Sequence, residues 1–99
     1  MDKQLVGYLA TILLWRSVVD RDWLSVGFID GLLVMAEALG KGIDEVSEAL
    51  RIYDKYKGWL FDMRYKERLS SEEVLMLAAE AVERELGITL IWGTDEIQK

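Results

Sequence analysis

Four glutamates at helical spacing are the residues of this chain best suited to chemistry. Glu45 and Glu48 lie three apart, as do Glu80 and Glu83, so each pair would share one face of a helix. Two such helices side by side would present four carboxylates, the hard oxygen ligands that Mg²⁺ prefers. Most other catalytic chemistry is missing from the composition. The 99 residues contain no histidine and no cysteine, which removes the commonest general base, the commonest metal ligand and any thiolate nucleophile. Ser17, Ser25, Ser47, Ser70 and Ser71 therefore have no imidazole to activate them, and none lies in a G-x-S-x-G turn. Gly40-Lys41-Gly42 is too short for a phosphate-cradling loop and precedes Ile43 instead of the required Lys and Ser/Thr.

Two local resemblances follow from these residues. The segments EVSE (45–48) and EAVE (80–83) are similar to the paired E-x-x-E/D motifs of the all-helical MazG-like nucleotide pyrophosphohydrolases. That resemblance implies Mg²⁺-dependent nucleotide hydrolysis with Glu45, Glu48, Glu80 and Glu83 around the ion. It covers these two segments alone, Glu83 stands where the family has Asp, and no basic substrate-binding residues match nearby. Residues 36–50 resemble a helix-turn-helix, with Ala36, Gly40, Val46, Ala49 and Leu50 at the spacing that lets two helices cross closely. The resemblance implies that the helix after GKG would read DNA. Asp44, Glu45 and Glu48 would then face the phosphates and repel them, and Gly42 stands where a polar cap is usual. A second pointer to nucleic acid is the stretch Arg51–Arg68, where six cations face three acids and Tyr53, Tyr56, Trp59, Phe61 and Tyr65 interleave with them. Solvated lysines beside buried aromatics give the same pattern, and we prefer that reading.

The composition sets wider bounds. A hydrophobic share of 52% with 30% charge is that of a globular chain, and the length suits one domain spanning 1–99. Net charge is −6, distributed as −2 over residues 1–40, +1 over 41–70 and −5 over 71–99. That balance argues against binding a phosphate backbone as the main task. The apolar runs Leu5–Trp15 and Trp23–Ala36 are shorter than the roughly 20 residues a bilayer requires, so no membrane partner is expected. The lack of cysteine and of an export signal suggests a cytoplasmic protein.

The elements that must position these residues read as all-α: a four-helix bundle with a short extended segment after it. A first helix is predicted over 3–19, where Leu5, Tyr8, Ile12, Trp15 and Val19 mark one face. Val6, Leu9, Leu13, Leu14 and Val18 widen that face, leaving a polar strip near Gln4, Thr11 and Arg16. A second helix is predicted over 23–39, capped by Asp22, stopped by a left-handed Gly40, and notched by Gly27 and Gly31. Asp30 within it is a carboxylate among apolar neighbours that needs a wet strip or a salt bridge to Arg16 or Arg21. A third helix over 44–66, capped by Asp44, carries the seam Val46, Ala49, Tyr53, Tyr56, Leu60 and Met63 straight through Gly58. The fourth, over 71–86, opens with a Ser70–Glu73 capping box and closes at Gly87. Residues 88–92 (ITLIW) suit a strand but have no partner strand in the chain, which favours an extended course across the bundle.

Helices this apolar present more surface than four short helices can cover. The expectation is therefore a non-enzymatic interaction protein, such as an assembly subunit, adaptor or inhibitor, working with a protein partner or with itself as a homodimer or larger. Its expected contact residues are the aromatics Trp15, Trp23, Tyr53, Tyr56, Trp59 and Trp92, with no catalytic, metal or cofactor site. A variant of this reading has Glu72, Glu73, Glu80, Glu83 and Glu85 acting as an acidic decoy for a nucleic-acid-binding protein. Nucleic-acid recognition by the 36–50 segment is the alternative, and nucleotide hydrolysis the second alternative.

Overall fold

The computed structural model describes residues 1–19, 31, 34, 40 and 42–91. Within them lie three helices, α1 (Lys3–Val19), α2 (Ile43–Glu67) and α3 (Ser71–Leu86), and no strand. The chain is thus all-helical where described, but a bundle of four is not what these residues show. Of the expected 23–39 helix, Gly31 and Val34 alone are described, both helical and exposed. Trp23, Gly27, Asp30 and the Asp22 cap lie outside the described residues.

α1 is the central element and packs against both α2 and α3, which touch each other far less. The core is built from Val6, Ala10, Leu13, Leu14 and Val18 of α1, Ala49, Ile52 and Leu60 of α2, and Val74, Ala78 and Val82 of α3. Small residues allow the close approach. Ala10 on α1 and Ala78 and Ala81 on α3 are buried, leaving little side chain between the helices, while the space over Gly7 is filled by Leu90.

The buried side of α1 is not the one its periodicity marks. Val6, Gly7, Ala10, Thr11, Leu13, Leu14 and Val18 are interior, whereas Leu5 and Ile12 are 40% and 36% exposed. At 100° per residue the interior set fills one side of the helix, and Leu5 and Ile12 stand diametrically opposite. Thr11, expected on a wet strip, is fully buried, and its hydroxyl finds no hydrogen-bond partner among the described residues. A helix apolar all round has no phase to read, so packing on α2 and α3 decides which side goes in.

Helix ends follow local chemistry. Asp2 caps α1, its carboxylate accepting from Leu5 N at 3.1 Å and its carbonyl from Val6 N at 3.1 Å. α2 begins one residue earlier than expected and has Gly42, not Asp44, as its N-cap, with no side-chain cap bond. Gly40 and Gly42 both have positive φ, 71° and 93°, a course nearly closed to other residues. Asp44 lies inside the first turn, where its charge still favours the helix dipole. α2 runs unbroken through Gly58 and closes on Arg68 in the left-handed region at φ 52°. α3 carries the expected capping box, Glu73 N donating to Ser70 Oγ at 3.2 Å and Ser70 N to Glu73 Oε1 at 3.0 Å. Gly87 ends it at φ 67°, its amide bonding to Glu83 O at 2.8 Å.

Candidate interaction surface

The four glutamates with metal-ligand spacing do not converge. Glu45, near the start of α2, accepts the amide of Asp2 at 2.8 Å, and that bond holds its carboxyl below the usual range. Glu48 pairs with Arg51 one turn along the same helix, which lowers its pKa likewise. Glu83 accepts Leu90 N at 2.7 Å, and Glu80 is exposed on α3. Among the described residues no three such side chains gather where a metal ion could sit. Glu45, Glu48 and Glu83 each hold a separate partner, which the i,i+3 spacing could not distinguish from ion binding.

The polar cluster that does form is centred on Glu85 of α3. It accepts from Tyr56 Oη at 2.6 Å, Lys55 Nζ at 2.9 Å and Arg51 Nη2 at 3.2 Å, all from α2. The Glu85 side chain is 15% exposed while Arg51 and Lys55 are about half exposed. The Tyr56 hydrogen bond, then Lys55 and Arg51, pull the Glu85 carboxyl down to about 2. The carboxylate in turn raises the Tyr56 hydroxyl and Lys55, and Arg51 is raised first by Glu48 and then by Glu85. The two least intimate helices are thereby joined by one carboxylate shared among three donors. Sequence reasoning placed Glu85 among the acids of a decoy surface, since nothing along the chain signals a pairing thirty residues distant.

This cluster also decides how the cations of α2 are used. Arg51 and Lys55, the side chains a recognition helix would offer to DNA, are paired with two carboxylates, Arg51 with Glu48 and Glu85 and Lys55 with Glu85. Lys57 pairs with Asp54 at 2.7 Å and lies over the Tyr53 ring at 5.4 Å. Arg64 donates to Val18 O at 3.2 Å across the α1–α2 contact. Of the interleaved aromatics, Tyr53, Tyr56 and Phe61 pack on the core, while Trp59 and Tyr65 are exposed. Ala36, on the first helix of the proposed helix-turn-helix, lies outside the described residues.

The expected contact aromatics separate into different roles. Trp15 packs on the core, and its indole N–H donates to Ser71 O at 2.9 Å, tying α1 to the first turn of α3. Tyr53 and Tyr56 also pack on the core. Trp59 is 38% exposed and stands edge-on to Tyr56, with ring centroids 6.2 Å apart. Tyr56 and Trp59 are therefore brought together, and Trp15 is elsewhere. Trp23 and Trp92 lie outside the described residues.

The surface that sequence reasoning missed is the outward side of α1. Leu5 and Ile12 lie one above the other there, flanked by half-buried Tyr8, Leu9, Arg16 and Val19. α1 contains no acidic residue, its charges being Lys3 and Arg16 alone. The sequence marked this row by its 3–4 spacing, as part of an apolar excess too large for the bundle to cover, but named aromatics instead of Leu5 and Ile12 as the contact residues. No helix among the described residues is long and apolar enough to cross a membrane. Comparison with protein-family models, with curated proteins and with solved structures finds no match to the chain.

Proposed function

We propose that this protein is a non-enzymatic helical interaction module that associates with a second copy of itself through the outward face of α1. The observation that carries this reading is the exposure of Leu5 and Ile12 on the side of α1 opposite its buried residues. An apolar strip on the central helix of a small domain is costly in water and is removed when another helix covers it. Charge favours self-association at this place over others. Two copies that each carry −6 repel one another, and α1 is the described helix without a carboxylate. The contact would be isologous, the same patch meeting itself about a two-fold axis.

The absence of cysteine permits a direct test. Single variants Leu5→Cys and Ile12→Cys each place one thiol in the proposed interface, and Lys66→Cys on α2 serves as a control. Mild oxidation should convert at least one of the α1 variants to a covalent dimer far faster than the control. Cross-linking no faster than Lys66→Cys from both α1 positions would contradict the reading.

A further inference from the structure

The segment after α3 is held against α1 in the way a protein holds an extended peptide. Leu90 is 5% exposed, whereas Thr89 and Ile91 on either side are exposed, the alternation of a strand with one inward residue. Among the described residues no neighbouring strand reads its main chain; side chains do. Gln4 Nε2 donates to Thr89 O at 2.8 Å, and Gln4 Oε1 accepts from Ile91 N at 3.1 Å. One carboxamide thereby bridges both sides of Leu90, as a partner strand would. From α3, the Glu83 carboxylate accepts Leu90 N at 2.7 Å. The leucine side chain lies over Gly7, where a Cβ would collide with Leu90 Cδ2 and stand 3.4 Å from its Cγ.

These contacts recognise backbone plus one leucine-sized side chain, and they ask little of the residues between. The joint into the segment is Gly87, left-handed at φ 67° with nothing within 4 Å of a Cβ position. Beyond it, Ile88 N bonds to Glu83 O at 3.1 Å and the Ile88 side chain lies beside Gly7, so release of the segment breaks contacts with both α3 and α1. We propose that Gln4, Gly7 and Glu83 form a binding site for an extended leucine-bearing peptide of this chain's own sequence. Residues 88–91 occupy the site from within the same molecule and act as a displaceable strap. This inference does not depend on the outward face of α1, because Gln4 and Gly7 lie elsewhere around that helix.

The test uses the full chain with Leu90→Asp, which frees the site, and a fluorescently labelled peptide, acetyl-Gly-Ile-Thr-Leu-Ile-amide. Saturable binding is expected, weakened about tenfold by adding Gln4→Ala, the value of two hydrogen bonds of roughly 0.5–1 kcal/mol each. Replacing the peptide's leucine by aspartate should abolish it. No binding to a Leu90→Asp chain that keeps its helical circular dichroism would overturn the proposal, as would binding indifferent to the peptide's leucine. Should Leu90→Asp fail to fold, the peptide is titrated into the wild-type chain at millimolar concentration, where it competes with the tethered strap. Shifted amide resonances of Gly7 and Leu90 would then support the site, and unmoved resonances would overturn it.

Discussion

At the scale of single residues, Glu85 joins more partners than any other described carboxylate whose bonds are given above. Replacing it by glutamine keeps the shape and removes the charge that Tyr56, Lys55 and Arg51 share. We expect Glu85→Gln to destabilise the fold by about 1–2 kcal/mol at pH 7, mostly through the Tyr56 bond, since the half-exposed cations contribute little. The pH dependence follows from the direction of its shift. The folded carboxyl lies near 2 against an ordinary 4.5, so its contribution is complete above the ordinary value and is lost as pH falls through about 2. Urea melts of the two proteins should therefore differ at pH 7 and converge between about pH 4.5 and 2. A constant difference across that range would show that the charge is not what matters. None of this was legible beforehand. The sequence shows Glu48–Arg51 at i,i+3, but the pairing of α2 with Glu85 needs the packing angle of two helices.

At the scale of elements, what could be read was what is written locally. The capping box at Ser70 and Glu73 and the glycine stop at Gly87 bound α3 at the expected residues, because caps act within one turn. The seam of α2 was legible for the same reason. Val46, Ala49 and Leu60 are buried and Tyr53 and Tyr56 pack on the core, although buried Ile52 was left out of it. The start of α2 was misplaced because a polar Asp44 was preferred over two glycines whose positive φ turns the chain. Gly58 offers a test at this scale. It sits mid-helix, exposed, with nothing within 4 Å of a Cβ and no positive φ. Gly58→Ala should therefore stabilise α2 by about 1 kcal/mol and raise Tm by about 4–8 °C. A fall in Tm by calorimetry would mean that something approaches that backbone closely in solution.

At the scale of the whole molecule, the central helix is apolar on both sides, and the domain as described buries one of them. That excess was visible in the sequence as a helix with almost no polar face. Which side turns inward was not, because Leu5, Tyr8, Ile12, Trp15 and Val19 have as good a periodicity as Val6, Ala10, Leu13 and Leu14. Gly7 and Ala10 decide the matter, since they permit closer contact with the neighbouring segments than Leu5 or Ile12 would. Once the small-residue side is interior, the larger side chains are left facing outward, on the described helix where the repulsion between two negatively charged copies is weakest. The most direct test is the absolute mass in solution, by light scattering on a sizing column at low and high salt, for the wild-type chain and Ile12→Glu. The account predicts a wild-type dimer or larger species that persists in salt, and a monomer of unchanged helical content for Ile12→Glu. A wild-type chain that stays monomeric at both salt concentrations would contradict it.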